Sequence, residues 1–361
     1  MKTQEVMRSY AQLKDFSQAI FKSIGCSEVD ALLAADALVA ADLRGIDSHG
    51  VARLSGYVRL WESKRINPTP DIRIIHETPS TAVVDGDAGL GLVVAPKAMQ
   101  IAIDKAKQVG TGWVSVQNSN HFGIAGYHAM LALAQDMIGM AMTNASALVA
   151  PTFSTERMLG TNPIAVAIPA GEQPAFVADF ATTTAANGKL EILQRKNAEA
   201  PLGWVQNQDG EPSTDANILK QQGALLPLGS DREHGSHKGY ALGSIVDIFS
   251  AVLSGASYGP WAPPFPAYVP MPENMPGKGL GHFFGAMRID AFRPADDFKQ
   301  HMDNWIQRFR NAKPAVGQER VLIPGDPERE MAANRIEAGI PLVESVAKDL
   351  TELGQKFGID F

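Results

Sequence analysis

Apolar residues in the first sixty positions recur with the spacing of amphipathic α-helices. Gly25 marks the end of the first predicted helix, whose apolar positions are Val6, Tyr10, Leu13, Phe16, Ile20 and Phe21. Ser27 is the expected N-cap of an Ala- and Leu-rich second helix that ends near Leu43. A third helix is predicted over Gly50–Glu62, with its apolar side formed by Val51, Leu54, Tyr57, Val58 and Trp61.

From about residue 72 the pattern changes to short β-prone runs bounded by Pro and Gly. The predicted strands are Ile72–His76, Thr81–Asp85, Gly112–Val116, Ile138–Met142, Ile164–Ile168, Phe176–Asp179 and Phe283–Ile289. The predicted helices between them are Pro96–Gln108, Gly126–Gln135 and a segment from Gly239 to about Leu253. This alternation predicts an α/β core with a mixed sheet.

A Pro-rich segment, Pro260–Pro276, interrupts this alternation before the last predicted strand. Prolines remove backbone donors and restrict the chain, which argues against a regular element here. We expect an ordered surface loop rather than a flexible one, because Trp261, Phe265 and Tyr268 provide aromatic side chains that the loop can bury.

The chain is predicted to be helical again from Asp296 to its end. Since both ends are helical, we expect them to come together in space as one domain, formed by residues 1–75 with 291–361. Residues 76–290 would form a separate α/β domain. We find no internal repeat and no low-complexity tract.

Composition restricts the classes of protein to which the chain can belong. Its 361 residues contain 45% hydrophobic and 20% charged residues, which is typical of a globular protein. The net charge of −7 disfavours nucleic acid and anionic membranes as partners. The single cysteine, Cys26, excludes an intramolecular disulfide and a Cys-based metal cage, which fits a reducing cytoplasm. No apolar run approaches the roughly 18 residues of a membrane span, so we expect a soluble, cytoplasmic protein.

The common nucleotide-binding and catalytic motifs are absent. A Rossmann site requires G-x-G-x-x-G between a strand and a helix. The glycines of Gly86–Gly91 have the wrong spacing, and Gly277–Gly281 is followed by a predicted strand. No P-loop, H-E-x-x-H or G-x-S-x-G motif occurs. Candidate chemistry must therefore come from polar islands in the apolar pattern.

The first island, Arg44–Arg53, ends in Ser48-His49-Gly50-Val51-Ala52-Arg53. If a helix starts near His49, then His49, Arg53 and Tyr57 share one face at i, i+4 and i+8. Arginine can bind a carboxylate with two hydrogen bonds, and histidine can transfer a hydroxyl proton near neutral pH. This combination suits a hydroxy-acid site. The alternative is that Ser48 simply caps a helix and Arg53 is a surface charge.

The second island, Asn118–Gly123, follows a predicted strand and contains His121. Loops at the carboxyl ends of strands in α/β sheets collect ligand-binding groups. The two asparagines, Asn118 and Asn120, could equally cap the next helix around a half-buried histidine. Both interpretations remain open from the sequence.

Two further islands lie next to predicted strands: one precedes the strand Ile164–Ile168, and the other begins at the end of the strand Phe176–Asp179. Thr161 and Asn162 belong to a Leu-Gly-Thr-Asn-Pro string. The segment Asp179–Thr184 provides hydroxyls and backbone N–H groups, and Lys189 follows shortly after it. These groups could bind a pyrophosphate. Between its two ends the segment contains Phe180, Ala181, Thr182 and Thr183. A Thr-rich helix start is the alternative.

The last islands lie in the second half of the chain. His237 and Lys238, between two glycines, precede a predicted helix. A lysine at a helix start opposes the helix dipole unless an anion binds there. Gly325, in Ile323–Glu328, is best explained as part of an ordinary turn into a helix.

Together these islands resemble the malate/L-lactate dehydrogenase family, which binds nicotinamide cofactors without a Rossmann fold and includes ureidoglycolate, sulfolactate and diketogulonate dehydrogenases and piperideine-carboxylate reductases. The matching strings occur in family order: Asp42–Arg53, Asn118–Gly123, Leu159–Pro163, Asp179–Lys189, His237–Tyr240 and Pro324–Glu328. The resemblance implies hydride transfer between NAD or NADP and a small 2-oxo or 2-hydroxy acid. It also implies a homodimer, with the helical domain contributing to dimerisation and no bound metal.

The resemblance also assigns roles to residues. His49 and His121 are the proton-transfer candidates, and Arg53 would bind the substrate carboxylate with support from Ser48 and Tyr57. A base one turn from that arginine would lie near C2, which slightly favours His49. The cofactor-contacting residues would be Thr161, Asn162, Asp179, Phe180, Ala181, Thr182, Thr183, Lys189, His237, Lys238 and Gly325.

Two departures from the family pattern bear on the substrate. Some relatives place a lysine after Thr143-Asn144, where this chain has Ala145-Ser146, and Asp326 replaces a more usual glutamate. The missing cation leaves the substrate open, and reduction of a cyclic imine carboxylate such as piperideine-2-carboxylate is an alternative. A further alternative belongs to a different class of enzyme: a metal-dependent lyase or hydrolase with His49, Asp47 and His121 as ligands.

Overall fold

The two ends of the chain meet in a two-stranded antiparallel pair, in a computed structural model that describes residues 5–361. Strand β1 (Glu5–Arg8) pairs with β12 (Ile340–Val343), so that Val6 lies opposite Leu342. The prediction of a helix starting at Val6 is therefore wrong. Its partner strand comes from the other end of the chain, so local periodicity carries no signal for it.

Helices from both chain ends share one core beside this strand pair. They are α1 (Tyr10–Ser23), α2 (Glu28–Leu43), α3 (Leu54–Glu62), α9 (Asp326–Ala338) and α10 (Glu344–Phe357). Ser9 and Ser27 cap α1 and α2, and Gly25 has the positive φ of +104° that ends the first helix. Leu38 and Leu350 are fully buried in the shared core. Residues from both chain ends thus pack into one apolar core.

A seven-stranded sheet forms the centre of the molecule. Its strands are β2 (Arg73–Glu77), β3 (Thr81–Asp85), β4 (Thr111–Ser119), β5 (Met137–Thr143), β6 (Ile164–Ile168), β7 (Phe176–Phe180) and β11 (Leu280–Arg288). The order across the sheet is β2-β3-β4-β11-β5-β6-β7. Only β3 and β4 pair in parallel, and the other neighbours are antiparallel. The expected mixed-sheet α/β fold is confirmed.

Helices cover the sheet and position the loop after β4. They include α4 (Gly91–Val109), α5 (Ala125–Met130) and α7 (Ser236–Asp247), which continues as a π-helical turn to residue 252. Helix α4 begins five residues before the predicted start. At Gly91 a Cβ would lie 2.1 Å from the carbonyl oxygen of Asn120, so the loop that carries His121 rests directly on this glycine.

Helix α8 (Ala295–Arg310) packs against the edge of the sheet and contacts the start of α9 through an ion pair between Arg310 and Asp326. The Trp305 ring lies 5.8 Å from that of Phe176, and Asp303 accepts backbone hydrogen bonds from Gly171 and Gln173. The apolar stripe of α8 thus has partners at the sheet edge. The division of the chain into residues 1–75 with 291–361 and residues 76–290 stays a prediction. Within residues 5–361, no helix is both long and apolar enough to cross a bilayer.

A small unit follows β7 and was not predicted from the sequence. It contains α6 (Asn187–Arg195) and a three-stranded sheet formed by β8 (Val205–Gln206), β9 (Pro212–Ser213) and β10 (Ala224–Leu225). Its strands have only two residues each, which is too short for an alternating pattern to be recognised. A separate apolar cluster that includes Val149, Leu190 and Leu225 holds it together.

Candidate active site

A tight turn around the Asp42 carboxylate positions the first polar island. The backbone N–H of Val51 donates to Oδ2 of Asp42 at 2.7 Å, and a Cβ at Gly50 would lie only 2.0–2.1 Å from the Asp42 carboxyl atoms. The chain therefore forms two single 3₁₀ turns, Asp47–His49 and 51–53, before α3 begins at Leu54. The predicted continuous helix from Gly50 is wrong, because the chain folds around a buried carboxyl group that helical periodicity does not reveal.

The turn nevertheless brings the two predicted histidines together. The rings of His49 and His121 lie nearly parallel, with centroids 5.7 Å apart. The hydroxyl oxygen of the fully buried Tyr57 lies 2.7 Å from Nδ1 of His121, and the Ser48 hydroxyl lies 2.9 Å from Nδ1 of His49. The first and second islands, far apart in sequence, thus form one site.

Both imidazoles are neutral at pH 7. Burial, and secondarily the charge of Arg53, lowers the pKa of His49 to about 4. Burial lowers the pKa of His121 well below its usual value, with further contributions from His49 and Arg53. The backbone N–H of Gly123 lies 3.4 Å from Nδ1 of His121, so this nitrogen accepts and Nε2 carries the proton. Within residues 5–361, neither Nε2 atom has a hydrogen-bond partner.

The guanidinium group of Arg53 lies at the edge of this histidine pair. Its Nε donates to the carbonyl oxygen of Ser48 at 2.6 Å, and its Nη2 lies 3.6 Å from Oε2 of Glu191 in α6. The side chain is about one quarter exposed, at 23%. Arg53 is thus held through Nε and a long ion pair, with its outer nitrogens accessible to an anion.

An aromatic residue that sequence reasoning did not place in the site completes it. The Phe265 ring lies 4.8 Å from the His121 ring and 5.4 Å from the Tyr57 ring, centroid to centroid. The sequence indicated only that the Pro-rich loop would bury its aromatic residues. That expectation fails for Tyr268, which is 85% exposed.

The predicted cofactor residues after β5 and β7 come together, but their side chains serve the fold. Thr182 donates through its backbone N–H to the Thr161 carbonyl at 3.0 Å, and its hydroxyl oxygen lies 3.0 Å from the Asn162 carbonyl. The Asn162 amide donates to the Gly243 carbonyl in α7 at 2.9 Å, and the Thr183 hydroxyl donates to a nearby backbone carbonyl. The Thr182 and Thr183 hydroxyls are therefore used by backbone carbonyls, because buried hydroxyls must satisfy their own hydrogen bonds. The binding of a pyrophosphate by this segment stays a prediction.

Asp179 and α6 place residues 179–188 between the two histidine-bearing islands. Asp179, at the end of β7, accepts from the backbone N–H of Gly126 at 2.7 Å, shortly after the loop of His121. Burial of its carboxyl group raises its pKa to about 6. On the other side, a Cβ at Gly188 would lie 2.7 Å from the Ser48 Cβ. Residues 179–188 thus line the space beside both histidine-bearing turns, with Phe180 exposed and Ala181 half-buried.

His237 and Lys238 lie at the start of α7, and both are accessible to solvent. Arg232 approaches Nδ1 of His237 at 2.8 Å, so positive groups collect at this helix start. Gly243, which contacts Thr182, follows Lys238 in the same helix by five residues, or about 7–8 Å of rise. Helix α7 therefore runs from the predicted anion-binding group at Lys238 to the buried Thr182.

Two other predicted cofactor residues have structural partners. The Lys189 ammonium group lies 5.6 Å from the centroid of the Trp204 ring, in the small unit after β7. Gly325, with φ of +98°, begins α9, and a Cβ there would lie 3.1 Å from that of Val177. Its neighbour Asp326 forms ion pairs with two arginines, so this segment is the ordinary turn that the sequence favoured.

The metal-dependent alternative gains no support from the geometry. Asp47, one of its three supposed ligands, pairs with Arg335 and lies 3.1 Å from Nη2 of that residue. Across residues 5–361, no three His, Cys, Asp or Glu side chains are grouped as a metal site requires.

Comparison with known proteins agrees with this arrangement. The sequence model of a family described as malate/L-lactate dehydrogenase matches residues 8–351. A malate dehydrogenase from Pyrococcus abyssi is 43% identical over 349 residues, which cover 96% of this chain and 94% of that protein. An L-sulfolactate dehydrogenase from Methanocaldococcus jannaschii is 40% identical, over 94% of each chain.

Solved structures agree as well. The crystal structure of malate dehydrogenase from Entamoeba histolytica matches with a TM-score of 0.92 at 36% identity, and the match covers 99% of each chain. The similarity in sequence and in structure thus extends over nearly the whole chain. We conclude that this protein belongs to the malate/L-lactate dehydrogenase family, whose members are dehydrogenases of 2-hydroxy acids.

Proposed function

We propose that the protein catalyses reversible, nicotinamide-dependent hydride transfer between a small 2-hydroxy acid and the corresponding 2-oxo acid. The observation that carries this proposal is an accessible guanidinium group, Arg53, beside two neutral histidines whose Nε2 atoms have no partner within residues 5–361. A carboxylate bound at the arginine would bring C2 and its oxygen next to an imidazole. Proton transfer at that oxygen is the step for which such a group is needed.

Arg53 supplies substrate binding and orientation. Its Nε is already used by the Ser48 carbonyl, which leaves the outer nitrogens to form charge-assisted hydrogen bonds with a carboxylate. Holding the substrate in one orientation can contribute about 7–11 kcal/mol in favourable intramolecular models. The names of the two relatives, malate and L-sulfolactate dehydrogenase, denote substrates with a second anionic group, which favours such acids here.

His121 is the proton carrier that we favour over His49. Its Nδ1 accepts from the Tyr57 hydroxyl at 2.7 Å, which directs the Nε2 proton toward the open side of the ring. In the reducing direction, His121 protonated at both nitrogens would donate its Nε2 proton to the 2-oxo oxygen and keep a proton on Nδ1, which then faces the Tyr57 oxygen. In the oxidising direction this neutral Nδ1–H form would take up the hydroxyl proton at Nε2. His49 would then orient the substrate, with Ser48 holding its Nδ1.

A nicotinamide cofactor fits the positive groups of the chain. When bound, it would supply the hydride acceptor or donor. Arg232, His237 and Lys238 lie together at the accessible start of α7 and could bind phosphate groups, aided by the N-terminal backbone donors of that helix. Asp179, Thr161 and the neighbouring residues would lie toward the nicotinamide. Both NAD and NADP fit this donor set.

An exposed apolar face supports the expected homodimer. Along α7 and the turn after it, five large apolar side chains are between 41% and 58% exposed: Ile245, Ile248, Phe249, Val252 and Leu253. An apolar stripe of this kind on a surface helix is typical of a protein interface. We propose that a second copy of the chain covers it, in a cytoplasmic enzyme with a single free thiol.

The direct test is a substrate panel followed at 340 nm with NADH and NADPH. We expect reduction of 2-oxo acids, with oxaloacetate and sulfopyruvate among the best substrates, and weaker turnover of piperideine-2-carboxylate. Faster turnover of the cyclic imine would replace this proposal with the imine-reductase alternative. Absence of any nicotinamide oxidation across the panel would overturn it.

A further inference from the structure

The Pro-rich loop delivers one side chain, Phe265, into the candidate active site. Its ring contacts three residues with proposed roles in the reaction, since it lies 4.8 Å from His121, 5.4 Å from Tyr57 and 6.0 Å from the Arg53 guanidinium carbon. The Phe265 side chain has no polar atom, so it can contribute to the reaction only through its shape and by excluding water.

Three separate elements fix the position of this ring. The backbone N–H of Phe265 donates to the Ser146 hydroxyl at 3.0 Å, and Arg65 donates to the carbonyl of the preceding residue, Pro264. On α3, a Cβ at Gly56 would lie 2.7 Å from the Phe265 ring. The ring is therefore seated on a glycine and tied at its backbone, which distinguishes it from Tyr268 of the same loop.

The Ser146 anchor links the ring to the predicted cofactor segment. Ser146 lies in the segment after β5. The backbone N–H of the preceding residue, Ala145, donates to the Asn162 side chain at 3.2 Å. The segment after β5 thus contacts both the Phe265 backbone and the Asn162 side chain.

We propose that Phe265 is a specificity-determining residue whose ring limits the bulk of the group attached to C2 of the 2-oxo acid. The inference rests on the proposed function, because it assumes that the substrate lies between Arg53 and His121. The Phe265 ring packs against Gly56, Tyr57 and His121. It therefore cannot move aside at low cost, because well-packed groups shift only with strain. A methyl or methylene group at C3 then fits beside the ring, and a branched C3 does not.

The test compares pyruvate with 3-methyl-2-oxobutanoate in Phe265→Ala, Phe265→Leu and the wild type. We expect the ratio of kcat/KM, branched over unbranched, to rise roughly 10–100-fold in Phe265→Ala, the range that small changes of pocket volume produce. Phe265→Leu, which keeps more of the packing, should give a smaller rise. Tyr268→Ala, a change in the exposed part of the same loop, should leave the ratio unchanged.

Two further measurements separate specificity from a structural role. Ser146→Ala removes the anchor but keeps the ring, and it should raise the same ratio by a smaller factor with an unchanged thermal midpoint. A uniform fall in kcat/KM for both substrates, at an unchanged ratio in both Phe265 variants, would overturn the inference while the proposed function stands. A wild type that oxidises no nicotinamide with any 2-oxo acid would overturn both.

Discussion

The hydroxyl group of Tyr57 and the imidazole of His121 form a direct hydrogen bond, with 2.7 Å between the oxygen and Nδ1. Burial raises the pKa of Tyr57, so this hydroxyl keeps its proton throughout the working pH range. A protonated phenol next to an imidazole that also receives the Gly123 N–H must donate. In the neutral resting enzyme the bond therefore fixes the orientation of the His121 ring and directs Nε2 outward.

Tyr57→Phe should lower kcat/KM roughly 10–100-fold, because His121 loses the hydrogen-bond partner at Nδ1 that fixes the orientation of its ring. Cofactor affinity should stay within a factor of two, since Tyr57 is remote from the start of α7. Tyr127→Phe is the control: it also removes a phenol hydroxyl, here from a half-buried tyrosine that donates to Asp36 at 2.9 Å. Equal losses of activity in both variants would argue against a role for the Tyr57 hydroxyl.

The pH profile of hydroxy-acid oxidation should distinguish the two histidines. The oxidative base must be unprotonated, and burial lowers the pKa of both groups, so kcat/KM should fall only below about pH 6.5. His121→Ala should abolish this acid limb and lower the rate roughly 10²–10⁴-fold. His49→Ala should retain the limb at a reduced rate. The opposite pattern would assign the proton to His49.

Arg53→Lys should raise the KM for the 2-oxo acid and reduce kcat/KM roughly 10²-fold or more, because an ammonium group cannot form the paired hydrogen bonds of a guanidinium. Arg59→Lys, on the exposed face of α3 and paired with Asp349, is the control and should be silent. Steady-state kinetics with saturating cofactor decides the matter, and wild-type efficiency in Arg53→Lys would remove this residue from the carboxylate site.

Lys238→Ala should weaken cofactor binding on the order of 10-fold and leave kcat at saturation nearly unchanged, because it removes a phosphate-binding cation from a helix start. Quenching of tryptophan fluorescence or calorimetric titration with the reduced cofactor gives the dissociation constant. Lys313→Ala, another exposed lysine, serves as the reference. An unchanged constant in Lys238→Ala would show that this lysine is only a surface charge.

Two aspartates of α2 should affect stability with opposite dependence on pH. Burial raises the pKa of Asp42 above its unfolded value, so its favourable contribution is complete below about pH 3.9 and is lost as the pH rises through the folded pKa. Asp42→Asn keeps an acceptor for the Val51 N–H and removes the charge. The free energy of urea unfolding of Asp42→Asn, relative to that of the wild type, should therefore increase as the pH rises from 4 to 8.

Asp36 provides the matched comparison. Burial opposes the effect, yet hydrogen bonds from Lys14, Tyr10 and Tyr127 lower the pKa of this carboxyl group. Its contribution is therefore present above about pH 3.9 and is lost as the pH falls through the folded value. Asp36→Asn should be destabilised near pH 7, with a deficit that shrinks in acid. Parallel pH trends for the two variants would contradict these assignments.

Much of the candidate site could be predicted because its residues stand out locally. His49, Arg53 and His121 are polar groups in apolar surroundings, and each follows a turn or strand end that the sequence marks. Strands such as Thr81–Asp85 and Ile164–Ile168 were predicted with the observed bounds, because short β-prone runs between Pro and Gly residues are marked locally. The order of the six strings was sufficient to indicate the family.

The sequence by itself thus determined the class of fold, the identity of the polar groups and their order along the chain, since periodicity and turn chemistry act over a few residues. Only the tertiary structure decided which of these groups meet. It paired β1 with β12, used the Thr182 and Thr183 hydroxyls for backbone carbonyls and brought Phe265 against His121. Each of these contacts joins segments distant in sequence or depends on burial, and both are fixed only when the whole core packs.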